Sequence, residues 1–165
     1  MKTIYLAGGC FWGSEKYFES LKGVISTEVG YANGNTANPA YHDLKEGKAT
    51  HAESVKVVYD ENVISLNKLI EHLFRFIDPF AIDHQGEDYG HQYRTGIFYE
   101  DEESGRIAET FVKAKEKEAG RKLSLKVEPL KNYYPAEDYH QKYLDKNPTG
   151  YCHVNLHLIK PEEKK

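Results

Sequence analysis

Cys10 has the more unusual setting of the chain's two cysteines. It lies in "GGCFWGSE", residues 8–15, behind two glycines and ahead of Phe11 and Trp12. Glycine carries no Cβ to obstruct a ligand approaching the backbone, and adjoining rings can wall a small apolar pocket beside the sulfur. The residues that follow read as a helix from Phe11 to Leu21, with Phe11, Phe18 and Leu21 near one face. A thiol in the first turn meets unpaired backbone N–H groups and the positive end of the helix dipole, which lowers its pKa and supplies thiolate near neutrality. The chemistry expected at Cys10 is nucleophilic. The plainer alternative is a small buried hydrophobe, a common fate of a free cysteine.

Glu53 is the second residue whose surroundings suggest reactivity. In "HAESVKVVYD", residues 51–60, Val55, Val57 and Tyr59 alternate with Ser54, Lys56 and Val58, so a strand would put Glu53 on the apolar face. Desolvation raises a carboxyl pKa and leaves the group able to donate a proton at pH 7. The alternative is a frayed strand end with Glu53 in solvent.

The elements that must carry these groups alternate along the chain. Strands are expected over residues 2–7, 24–31, 51–60, 93–99, "SLKVEPL" and "CHVNLHLI". Besides the helix after Cys10, the spacing of Leu66, Leu69, Ile70, Leu73, Phe74 and Ile77 predicts a buried helical face, with Ser65 as N-cap and Pro79 as terminator. Residues 104–119 read as a helix with Ile107, Ala108, Phe111 and Val112 inward and Gly120 at its end. "PAEDYHQKYLDKN" reads as a further helix with Pro135 near its start. The order predicts an α+β fold, a ferredoxin-like α/β sandwich with additions in which helices pack on a mostly antiparallel sheet. Two polar loops, 32–50 and 78–92, have lengths that usually signal function.

Composition limits the classes of function. The chain has 165 residues, which suits one catalytic domain spanning 1–165, with 160–165 as a solvated tail. A net charge of −4 argues against a nucleic-acid surface. No apolar run approaches the ~18 residues of a membrane span, and "MKTIYLAGGCFW" lacks the pattern of a signal peptide. A cytoplasmic, monomeric protein with both thiols reduced at rest is expected. The 13 Tyr, 7 Phe and 1 Trp are many, and the tyrosines often adjoin Gly, Pro or His in segments that would line a site. Eight histidines show no tight ligand spacing, so no metal is expected. Met1 is the single methionine.

Four blocks taken together carry a resemblance: "GGCFWGSEKYF", "GYANGNTANPAYHDLKEGKATHAESVKVVYD", "HQGEDYGHQYRTGIFY" and "YYPAEDYHQKYLDKNPTGYCHVNL". In that order, and from about Tyr5 to Leu156, the chain resembles the peptide methionine sulfoxide reductase A family, whose members repair one epimer of oxidised methionine. The resemblance implies that Cys10 attacks the sulfoxide sulfur, that Phe11 and Trp12 hold the substrate methyl group, and that Glu53 protonates the oxygen. It further implies that Tyr41 and Tyr93 hydrogen-bond that oxygen and that Asp88 helps organise the pocket. Oxidised proteins and free methionine sulfoxide are the implied substrates, with no cofactor beyond thioredoxin or another thiol reductant.

Cys152 matches the position of a resolving cysteine in many family members, where it would condense with a sulfenic acid on Cys10. The disulfide would then be reduced by thiol exchange. The alternation of Cys152, Val154, Leu156 and Leu158 with His153, Asn155 and His157 also allows a buried role on a strand face. Two readings of other kinds stay open: a cysteine hydrolase pairing Cys10 with His51 or His140, and a redox or metal sensor using Cys10, Cys152 and His153.

Overall fold

A computed structural model describes residues 1–165. The elements in chain order are β1 (Lys2–Gly8), α1 (Phe11–Glu19), β2 (Val24–Ala32), α2 (Tyr41–Lys45), β3 (Ala52–Tyr59), α3 (Leu66–Phe76), β4 (His84–Gln85), β5 (Asp88–Tyr89), β6 (Thr95–Tyr99), α4 (Glu102–Ala119), β7 (Lys126–Pro129), β8 (Tyr133–Pro135) and α5 (Tyr143–Lys146). Six strands form one sheet in the order β7-β6-β1-β3-β2-β8, and β4 with β5 makes a separate small hairpin.

The fold is α+β, but its sheet is mixed rather than the mostly antiparallel one expected. β1, β2, β3, β6 and β8 pair antiparallel, whereas β6 and β7 run parallel, Gly96 opposite Lys126. The cause is α4. Its 18 residues carry the chain back to the end of the sheet from which β6 began, so the next strand must run the same way.

Local chemistry explains where the helices sit. Ser65 Oγ accepts the Lys68 N–H at 3.1 Å and starts α3, which buries Leu66, Leu69, Ile70 and Leu73 against the sheet. The Asp101 carboxylate accepts the Ser104 N–H at 2.8 Å, so α4 begins before residue 104, and Gly120 ends it in a left-handed turn. The interior of the strands is apolar as their period demands: Val29, Val55 and Val57 are all fully buried. No helix is long and apolar enough to cross a membrane.

Two expected elements do not form. The helix expected over "PAEDYHQKYLDKN" is broken into β8, a short 3-10 turn at Asp138–His140, and α5. Gln141 interrupts it. Its side-chain amide binds both polar groups of the Val29 backbone, accepting from N–H at 2.9 Å and donating to C=O at 2.8 Å. Lys142 then takes a left-handed φ of 53°, from which α5 restarts.

The last expected strand, "CHVNLHLI", is irregular, with a 3-10 turn at Leu156–Leu158. Both outer strands of the sheet end in proline, Pro129 in β7 and Pro135 in β8. Proline has no N–H for a further ladder bond, so an alternating segment finds no edge to extend. Residues 152–159 instead lie over the molecule, with Val154 and Ile159 buried. The stretch expected as a solvated tail is tied down at Glu163, which accepts the Arg75 guanidinium at 2.7 and 2.9 Å.

Candidate functional site

The reactive groups gather at one end of the sheet, where β1 and β2 end and β3 and β6 begin. Cys10 is the N-cap of α1 and is 8 % exposed. The turn before it depends on Gly9, whose φ of 88° suits glycine. A Cβ on Gly9 would lie 2.8 Å from Gln85 Cβ, and one on Gly8 would lie 3.0 Å from Leu73. The two glycines therefore admit packing partners, not the substrate room that the sequence suggests.

Glu53, on β3, is 1 % exposed and shares its face with Val55 and Val57 as the alternation requires. Its Oε1 accepts the Phe11 N–H at 3.2 Å, and its Oε2 accepts the Gln92 amide at 2.6 Å. Burial pushes its carboxyl up to about 7, against the pull of these two donors and of Lys45. Near neutral pH such a group is poised to hold or release a proton.

The Cys10 thiol departs from expectation. Burial raises its pKa most, and the negative charge of Glu53 adds to the rise. The helix start contributes through the Trp12 N–H, which favours thiolate, but one amide does not offset desolvation and a carboxylate. At rest the sulfur is protonated.

The aromatic residues divide into two groups around this pair. Phe11 is buried beside Tyr31, ring centroids 5.7 Å apart, and beside His140 at 5.1 Å. Trp12 is half-buried and stacks flat on Tyr143 at 3.7 Å, while its indole N–H donates to His140 Nδ1 at 2.9 Å. Tyr41 leans on the same histidine at 5.0 Å. The Tyr41 hydroxyl lies 3.5 Å from that of Tyr93. Lys45 donates to the Tyr93 oxygen at 2.9 Å, which leaves that phenol proton directed elsewhere. Burial and the Glu53 charge raise the Tyr93 pKa, so it remains a donor.

Sequence reasoning thus placed Cys10, Phe11, Trp12, Glu53, Tyr41 and Tyr93 in what proves to be one cluster. Asp88, on β5, stands at its margin. Its charge is felt by both Cys10 and Glu53, but its carboxylate accepts the Tyr151 hydroxyl at 2.8 Å. Cys152 is half-buried, its Sγ 2.9 Å from where a Cβ on Gly13 would stand, and it donates to the Val154 carbonyl at 3.2 Å. Both cysteines are free.

Several members of the cluster were not foreseen. Gln92 adjoins Tyr93 in sequence but has no pattern to distinguish it from a surface glutamine. Glu137 accepts both the Tyr31 hydroxyl at 2.7 Å and the Tyr41 N–H at 3.0 Å, fixing α2 to the site. Tyr143 falls beside Trp12 only because the chain breaks at Lys142. Neither histidine weighed as a base serves Cys10. His140 Nδ1 accepts from Trp12, and both ring nitrogens of buried His51 lack a hydrogen-bond partner.

The arrangement joins a protonated thiol, a buried acid near its midpoint, a pair of phenol donors and an aromatic wall. It suits attack by sulfur on a centre bearing a strongly accepting oxygen. Comparison with known proteins points the same way. The profile of the family described as Peptide methionine sulfoxide reductase matches residues 2–165. A protein of Ureaplasma urealyticum serovar 10 named Peptide methionine sulfoxide reductase MsrA is 51% identical over 160 residues, 97% of each chain. A protein of the same name from Ureaplasma parvum serovar 3 is 48% identical over 162 residues, 98% of each. Among solved structures, reduced Mxr1 from Saccharomyces cerevisiae superposes with a TM-score of 0.85 at 37% identity, covering 93% of this chain and 91% of its own. Methionine sulfoxide reductase A of Corynebacterium diphtheriae gives 0.83 at 38% identity, covering 92% and 77%. Mxr1 has also been solved in complex with Trx2, a form matching at a TM-score of 0.60 and 28% identity over 86% and 84%.

Proposed function

The chain belongs to the peptide methionine sulfoxide reductase family and is a peptide-methionine (S)-S-oxide reductase; on that premise we propose that Cys10 is its nucleophile and Glu53 its proton donor. The observation that carries this reading is the pairing of a buried acid near neutrality with a buried thiol whose pKa that acid raises.

Sulfoxide oxygen accepts hydrogen bonds strongly but leaves poorly unless protonated. Glu53 gives its proton to that oxygen as Cys10 sulfur attacks, and Tyr41 and Tyr93 donate to the same oxygen. The proton released by the thiol restores Glu53. The S–O bond of the substrate breaks, an S–O bond to Cys10 forms, and methionine leaves. Phe11 and Trp12 face the substrate methyl group, with the flat Trp12–Tyr143 stack making one wall. Burial disfavours the charged form of both groups, and a charged Glu53 further opposes ionisation of Cys10, so the thiol keeps its proton until an acceptor oxygen arrives. A thiol kept protonated also resists stray oxidation between turnovers.

Cys152 then attacks the sulfenic acid, water leaves, and the disulfide is reduced by thioredoxin. Its half-buried thiol near the first turn of α1 supports this, as does the solved complex of Mxr1 with Trx2. Oxidised proteins and free methionine sulfoxide are the substrates. For the fold, we read β1, α1, β2, β3, α3 and β6 as a ferredoxin-like unit to which the outer strands are added.

The test supplies each sulfoxide epimer with dithiothreitol to wild type and Cys10→Ser. Turnover of the S epimer alone, abolished in the variant, is expected. Activity surviving in Cys10→Ser would remove Cys10 from the reaction.

A further inference from the structure

Resting on the reading of Cys152 as the resolving thiol, we infer that Gly13 and His153 are positioning residues for the recycling step. His153 fastens the C-terminal segment beside Cys10, and Gly13 leaves the space that Cys152 occupies.

The His153 ring is half-buried at the junction of β1 and α1. Its Nε2 lies 2.9 Å from the Gly8 carbonyl oxygen, which can only accept, so Nε2 carries the proton and donates. The other ring nitrogen, Nδ1, is buried without a partner, which makes Gly8 the only polar attachment of this side chain. The ring also fills the space over Gly9, where a Cβ would come within 3.1 Å of Nε2. His153 is thereby held two residues from Cys10, and Cys152 precedes it in the chain.

Gly13 supplies the other half. It lies within α1, where its backbone has no need of glycine, and helix propensity alone would favour alanine. A Cβ at this position would stand 2.9 Å from Cys152 Sγ and 3.1 Å from Val154 Cγ2. The missing methyl group is therefore the space in which the second thiol rests. Residues 10 and 13 are neighbours on one helix face, so this places Cys152 about one turn along from the nucleophile. Tyr151, donating to Asp88 at 2.8 Å, fixes the segment on its other side.

The step served is balanced without an external oxidant. Cys152 sulfur attacks Cys10 sulfur, the Cys10 S–O bond breaks, an S–S bond forms, and the thiol proton leaves with hydroxide as water. Holding the two sulfurs together matters for this step alone, because reduction of the sulfoxide uses only Cys10.

Single turnover without reductant tests the inference in wild type, His153→Ala, His153→Gln and Gly13→Ala, each checked for folding by circular dichroism. Methionine formed, thiols lost and sulfenic acid trapped by dimedone are followed together. Wild type should lose two thiols. In His153→Ala and Gly13→Ala the first equivalent of methionine should form at the wild-type rate, while loss of the second thiol slows by about tenfold and trapped sulfenic acid rises. His153→Gln, whose amide can still donate to Gly8, should recover most of the rate. Two thiols lost at the wild-type rate in both His153→Ala and Gly13→Ala would overturn the inference and leave the resolving role of Cys152 standing. Loss of one thiol in wild type would overturn both. Equal slowing of methionine formation and thiol loss would show a general disturbance of the site and would also overturn it.

Discussion

Gln92 donates its side-chain amide to Glu53 at 2.6 Å, so the acid proposed as proton donor is held by a group that favours its charged form. Burial wins the contest and leaves the carboxyl at about 7. The proposed mechanism requires this group protonated for reduction. With sulfoxide as substrate, kcat/KM should therefore fall as pH rises through about 7. In Gln92→Leu, with one stabilising donor gone, the fall should move to higher pH. A profile that does not move would dissociate Gln92 from the proton donor.

Glu53→Gln should slow methionine formation by about 10²- to 10⁴-fold, the range expected for losing a general acid. The same change should stabilise the fold. A carboxyl whose folded pKa is raised contributes stability below its unfolded pKa and loses it as pH rises through the folded value. Glu53, raised to about 7, is thus a burden on the native state above neutrality. The rise corresponds to about 3 kcal/mol at pH 8 for a buried carboxyl. Urea titrations at pH 8 and pH 5 should show Glu53→Gln gaining on wild type chiefly at pH 8. Equal differences at both pH values would show that Glu53 is not desolvated.

Cys10 should alkylate slowly. Its buried thiol stays protonated at pH 7, so iodoacetamide should modify it at least about tenfold more slowly than free cysteine, followed by mass spectrometry of the Cys10 peptide. Removing the neighbouring charge lowers the thiol pKa, so Glu53→Gln should alkylate faster than wild type at pH 8. Equal rates would mean that the two groups do not sense one another.

The tie at the chain's end has its own pH signature. Arg75 holds the Glu163 carboxyl well below the usual carboxylate range. A depressed carboxyl contributes stability above its unfolded value and loses it as pH falls. Glu163→Gln should cost about 1–3 kcal/mol at pH 7, with the difference from wild type shrinking below about pH 4. An undiminished difference at pH 3 would assign the effect to packing.

What the sequence made legible follows from range. The face of α3 and the burial of Glu53 depend on spacing within a few residues of one element, and periodicity reports such spacing directly. The site residues at the start of α1, on β3, on α2 and before β6 were named through their motifs, although only the sheet order brings them together. Three features stayed hidden because each is a contest between distant groups. Gln141 breaks a helix by bonding Val29, more than a hundred residues away. The alternating stretch after Cys152 fails as a strand because prolines elsewhere close the sheet edges. The thiol rises in pKa rather than falling first because the fold buries it and then because Glu53 arrives from β3, neither of which the Cys10 neighbourhood in sequence reveals.

The prolines at both borders of the sheet bear on the company such an enzyme keeps. Its clients are damaged polypeptides, prone to expose backbone in search of hydrogen bonds. An open strand would offer them a template and invite the repairer into the aggregate. With Pro129 and Pro135 at its margins, the sheet gives a loose chain little to zip onto.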